Sequence, residues 1–194
     1  MSERKEEILQ LAIGIVAREG YGNLTMRALA KASGMKLGAL QYHFATREVL
    51  LRALTEWISE HYQESLAQLE AVSESLTIRD VVRWYLLDSG GARLESDWLW
   101  PQLWAMGRVE PLMQELLNDM SVRVVQILER YLVQAGSKSA RAEALAIMSL
   151  AEGSTLFVGE GSPWAADAQH VYDTVLSVID HQYGERHDAN AIAG

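Results

Sequence analysis

The stretch Lys36 to Glu48, KLGALQYHFATRE, concentrates groups suited to a phosphate-rich partner. Lys36 supplies a positive charge, and Tyr42 and His43 supply hydrogen-bond donors. Gly38 and Ala39 are small enough to let the backbone approach bases or phosphates closely. At about 100° per residue, Leu37, Leu40 and Phe44 fall within an arc of about 60° and are expected to face a core. Lys36, Ala39, Tyr42 and His43 point away from that arc, Gly38 lies beside Tyr42, and Gln41 falls at its edge. Thr46 and Arg47 open the next helix, whose free N–H groups suit a phosphate.

A second concentration lies after residue 80, where five of the six tryptophans fall: Trp84, Trp98, Trp100, Trp104 and Trp164. Trp100 and Trp104 are one helical turn apart and share a face. With Met106, Met113 and Met120 they are expected to line an adaptable apolar pocket, because methionine fills irregular gaps. Ordinary core packing is the competing reading for each ring. Tryptophan faces attract cations, so a positively charged ligand is compatible with this region.

Catalytic constellations are missing, and no enzyme activity and no cofactor are expected. The five histidines (His43, His61, His170, His181 and His187) show no HExxH or comparable ligand spacing. There is no Gly-rich phosphate loop and no nucleophile elbow. Asp180, His181 and His187 could hold a metal near the tail, but a solvated helix end accounts for them as well.

The chain as a whole bounds these readings. Its 194 residues suffice for a sizeable core, and 49% hydrophobic with 22% charged residues is the balance of a soluble globular protein. The net charge of −9 is unevenly distributed: residues 1–54 hold eight Lys/Arg against five acids, and residues 55–194 hold nine against twenty-one. A basic head can bind phosphates locally despite the acidic body, since salt screens charges beyond about 10 Å. No cysteine is present, no apolar run approaches the roughly 20 residues of a membrane span, and MSERKEEILQ lacks the apolar stretch of a secretory signal. The expectation is a cytoplasmic protein with no membrane contact.

The positioning elements read as helices throughout, about nine of them, with no strand pattern. Ile8, Ala12, Ile15 and Val16 mark a first helix that stops at Gly20. Thr25 caps a short helix, MRALAKA, ending at Ser33-Gly34, where the glycine can adopt the left-handed conformation of a tight turn. A third helix covers about Lys36 to His43, and Thr46 caps a long fourth. Further helices are expected over Ile78–Leu87, from Pro111 to about Gly136, over Ala140–Phe157 and over Ala166–Tyr183. Breaks are expected at Ser89-Gly90-Gly91 and at Gly159–Pro163, with a frayed tail from Gly184.

A short helix, a glycine turn and a second short helix make up the helix-turn-helix layout, whose second helix enters the DNA major groove. In their order and spacing, Leu24-Thr25-Met26-Arg27-Ala28-Leu29-Ala30, Ala32-Ser33-Gly34, Gly38-Ala39-Leu40-Gln41-Tyr42-His43-Phe44 and Arg47-Glu48 before Leu50-Leu51 resemble the DNA-binding domain of the TetR family of bacterial transcriptional regulators. The resemblance implies a helix-turn-helix domain over 1–54 and a helical ligand-binding and dimerisation domain over 55–194. Carried over by position, it implies DNA contacts by Thr25, Arg27, Leu37, Gly38, Ala39, Tyr42 and His43, with Arg47 standing where a phosphate-binding lysine is usual. The family commonly has Thr where this chain has Ala39 and Tyr where it has Gln41.

The same resemblance implies a homodimer, because two half-sites of a palindromic operator need two recognition helices held about 34–36 Å apart. The family pairs its last two long helices. Here that implicates Leu145, Met148, Ala151 and Thr155, and Val171, Val175, Val178, Ile179 and Gln182. The implied function is a repressor released by an apolar or aromatic small molecule, with Trp84, Trp100 and Trp104 and the three methionines as candidate contacts. The alternative is a helical ligand-binding or adaptor protein whose helix-turn-helix does not engage DNA, marked by Ala39 and Gln41.

Overall fold

The structure, a computed structural model, describes residues 2–73, 75–87 and 96–184. The expected break at Ser89-Gly90-Gly91, His187 and the tail beyond Gly184 lie outside the described residues. Among them are nine α-helices and no strand. They are α1 Glu3–Glu19, α2 Met26–Ala32, α3 Leu37–His43, α4 Arg47–Val72, α5 Ile78–Leu86, α6 Ser96–Gly107, α7 Pro111–Gln134, α8 Ala140–Phe157 and α9 Ala168–Tyr183. No described helix is long and apolar enough to cross a membrane.

Local chemistry sets the helix starts. The Thr25 hydroxyl accepts the Ala28 N–H at 3.1 Å, and the Thr46 hydroxyl accepts that of Val49 at 3.2 Å, each satisfying an orphan donor of the first turn. Thr77 and Asp80 form a capping box on α5. Pro111 occupies the first turn of α7, where its missing N–H costs nothing. Between α2 and α3, Gly34 takes φ +65°, a conformation that a side chain would strain.

Two apolar cores share α4 and α7. The first joins α1, α2, α3 and the start of α4 to Leu99, Leu103 and Met106 of α6 and Met113 and Leu117 of α7. The second packs the far half of α4 and of α7 against α5, α8 and α9 through Leu66, Val81, Val82, Leu128, Leu132, Ala144, Leu176 and others. α4 runs without a break through residues 54 and 55.

Polar contacts reinforce these joins. Tyr131 donates its hydroxyl to Glu70 at 2.6 Å, and Arg130 adds an ion pair at 2.6 Å. The Tyr131 hydrogen bond, with help from Arg130, holds the Glu70 carboxyl below the usual carboxylate range. Burial, together with the negative charge of Glu70, pushes the Tyr131 hydroxyl up.

Candidate nucleic-acid interface and ligand cavity

The α3 helix is held from beneath by Leu40 and Phe44, both essentially inaccessible, while Leu37 is half-buried. Its other side is open. Lys36, at the N-cap, and Gly38, Ala39, Gln41 and Tyr42 are exposed, and Tyr42 reaches 89% exposure. A large aromatic ring standing that far into solvent satisfies no packing need of its own chain. His43 is half-buried and meets the Tyr42 ring edge-on at 5.7 Å. Thr25 and Arg27, at the start of α2, are exposed as well. Gln41 therefore lies in solvent rather than at the core edge.

Arg47 behaves differently from the other candidates. It is half-buried at the start of α4, with Nε donating to the Leu24 carbonyl at 3.3 Å and Nη1 paired with Glu110 at 2.7 Å. That pair ties α4 to the N-cap of α7.

A cavity of about 240 Å³ opens between α4, α5, α6, α7, α8 and α9. Trp84, Trp100, Trp104 and Met120 line it, as expected, beside Tyr62, Tyr85 and Tyr172. Met106 and Met113 do not. Both are fully buried in the first core, where they fill the junction between the N-terminal helices and α6–α7. The apolar volume that a methionine fills at that junction is no longer available to a ligand.

The indole N–H groups of the three cavity tryptophans are engaged. Trp84 donates to the Ser65 hydroxyl at 2.9 Å, Trp100 to the Tyr62 hydroxyl at 3.2 Å and Trp104 to the Glu152 carboxylate at 2.7 Å. Tyr85 donates to the other Glu152 oxygen at 3.1 Å. Glu152, Tyr62 and Tyr85 join the expected residues at the cavity. A signal for Glu152 exists, since it is the single charge between Glu143 and Glu160 in an otherwise apolar stretch.

The expected pairing stripe on α8 and α9 divides. Met148, Ala151 and Thr155 turn inward and line the cavity, and Ile179 is buried in the second core. Val171 and Val175 are half-buried, whereas Leu145, Val178 and Gln182 are exposed. Leu145 belongs to a different face of α8, with Ala142, Ala146, Ser149, Leu150, Leu156 and Phe157, all exposed and all uncharged. Among the described residues, no group of three or more His, Asp or Glu could hold a metal ion.

A buried three-helix head that presents one short helix to solvent across a glycine turn defines a helix-turn-helix protein with a larger helical domain. Residues 8–54 match the family described as bacterial regulatory proteins, tetR family, which makes this segment similar to the DNA-binding domain of that family. A relative, the HTH-type transcriptional repressor KstR2 of Mycolicibacterium smegmatis, is 32% identical over 80 residues, which are 39% of this chain and 39% of the repressor. The chain thus spans about two fifths of the length of that curated relative. Two solved structures share the fold over nearly the whole chain. A TetR-family regulator from Rhodococcus sp. is 24% identical, with a TM-score of 0.79 over 92% of this chain and 99% of that one. A transcriptional regulator from Saccharomonospora viridis, solved in complex with choline, is 24% identical, with a TM-score of 0.76 over 96% and 100%.

Proposed function

We propose that the chain is a ligand-responsive repressor that binds a palindromic operator as a homodimer and leaves it when a small molecule fills the cavity. The observation that carries this reading is the placement of α4. Its first turn joins the head through Arg47, and Ser59, Tyr62 and Gln63 farther along it line the cavity. A ligand that favours one position of α4 therefore favours one position of the head, and differential affinity for two states is all that such coupling requires.

On DNA, α3 lies in the major groove. Gly38, Ala39, Tyr42 and His43 meet bases and nearby phosphates, and Lys36, Thr25, Arg27 and Gln41 meet the backbone. Leu37 packs at the rim, and Arg47 shares its guanidinium between Glu110 and a phosphate. The uncharged outer face of α8, with Val178 and Gln182 of α9, pairs with its copy; an exposed apolar face of that extent calls for a partner. The kinship with a named transcriptional repressor supports the sign of regulation, and the choline complex of a protein with this fold supports a small-molecule site.

The test is selection of bound duplexes from random DNA. The expected product is a palindrome with half-sites about one helical turn apart, and affinity should fall steeply with salt through counterion release. Selected duplexes that bind no better than scrambled ones at moderate salt would overturn the reading.

A further inference from the structure

We propose that the first turn of α1 sets the angle of α3: Arg4 and Lys5 are positioning residues that grip α3 at its two ends without touching DNA; this rests on α3 being the helix that reads the operator. The first turn of a helix disfavours cations, because the backbone dipole is positive there. Arg4 and Lys5 nevertheless occupy that turn of α1, and both side chains cross to the helix-turn-helix.

Arg4 acts at the entry to α3. Its Nη2 donates to the Ser33 carbonyl at 2.9 Å, 29 residues away in sequence, while Nη1 pairs with Glu7 at 2.6 Å. Ser33 is the C-cap of α2, and its buried hydroxyl donates to the Leu29 carbonyl at 2.8 Å. The Met35 N–H donates to the Ala30 carbonyl at 2.8 Å, with Gly34 between them at φ +65°. The turn is therefore tied to α2 by its own bonds and to α1 by Arg4. Lys5 acts at the exit, where its Nζ stands 5.7 Å from the centre of the Phe44 ring, and Phe44 is the C-cap of α3. A helix of seven residues is too short to hold itself, and Lys36 at its N-cap makes no side-chain capping bond. The angle of α3 then depends on Leu40 and Phe44 beneath it and on what grips its ends. Lysine would keep the charge of Arg4 but not the planar fork that serves Glu7 and Ser33 at once. Base contacts need a set angle, whereas attraction to phosphates tolerates a tilt. Loss of the grip should therefore fall on sequence preference.

The experiment measures binding of the full chain to two labelled duplexes, a palindrome selected from random DNA and its scrambled counterpart, over a range of salt. Arg4→Met is expected to lower the ratio of selected to scrambled affinity about tenfold, the scale of one hydrogen bond to a charged group. Lys5→Met should lower it about twofold to fivefold, and Arg4→Lys should follow Arg4→Met. Scrambled-duplex affinity, salt slope and helical content by circular dichroism should stay at wild-type values in all three. A salt slope lowered by about one would mean a phosphate contact and overturns the positioning role. An equal loss on both duplexes overturns it too, as does a wild-type ratio in Arg4→Met or Arg4→Lys. A wild-type chain that does not prefer the selected duplex overturns the DNA reading itself, and this inference with it.

Discussion

Arg47 and Glu110, 63 residues apart in sequence, meet at 2.7 Å where the first turn of α4 faces the N-cap of α7. Their side chains are about one-third exposed, at 35% and 30%. The pair joins the head to the helix whose middle turns line the cavity. A double-mutant cycle of Arg47→Ala and Glu110→Ala, followed by urea denaturation, should give a coupling of about 0.5–1 kcal/mol. Additive effects would mean that the contact carries no energy.

The exposed face of α3 should be separable from its buried one. Lys36→Ala and Tyr42→Ala are expected to weaken operator binding while changing unfolding free energy by less than about 0.5 kcal/mol. Lys36→Ala should also lower the salt slope of binding by about one. Unchanged affinity in both variants would place the DNA contacts elsewhere.

The outer face of α8 predicts where the dimer closes. Leu145 and Leu156 are 43% and 60% exposed, so Leu145→Glu with Leu156→Glu disturbs no buried contact of the protomer. Sedimentation should show monomers with native helical content. A dimer that persists at micromolar concentration would exclude this face.

Methionines on the two sides of the junction should respond differently. Met113, inaccessible in the first core, should cost about 2–5 kcal/mol when replaced by Ala. Its replacement should leave ligand affinity unchanged. Met120 lines the cavity, and Met120→Ala should alter ligand affinity at a smaller cost in stability. Equal effects on ligand affinity would contradict the separation.

Stability should depend on pH through Glu70. Its folded pKa is lowered, chiefly by the Tyr131 hydrogen bond, so its contribution is present above the unfolded carboxylate value, roughly 4.3. That contribution is lost as pH falls through the lower folded value. The gap in melting temperature between wild type and Glu70→Gln should therefore be constant near neutrality and narrow below about pH 4. A gap that widens on acidification would reverse the sign.

Much of the fold was legible because its determinants are local. Thr25 and Thr46 cap the helices they were expected to start, Gly34 adopts the turn conformation expected of it, and α8 occupies its expected span. The same holds for Leu40 and Phe44, whose burial follows from spacing within one short helix. Each of these depends on neighbours within one or two turns.

What remained hidden depends on which helix lies opposite. Periodicity groups residues on a face but does not say what that face meets. Trp100, Trp104 and Met120 meet a cavity, whereas Met106 and Met113 meet the head. In α8 the difficulty is sharper, because the helix is apolar on both sides. Met148, Ala151 and Thr155 face the cavity and Leu145 faces solvent, a division set by the packing of α8 against α7. The partners of Arg47 and Glu152 likewise come from remote helices, so their chemistry exists only once α4–α8 are assembled.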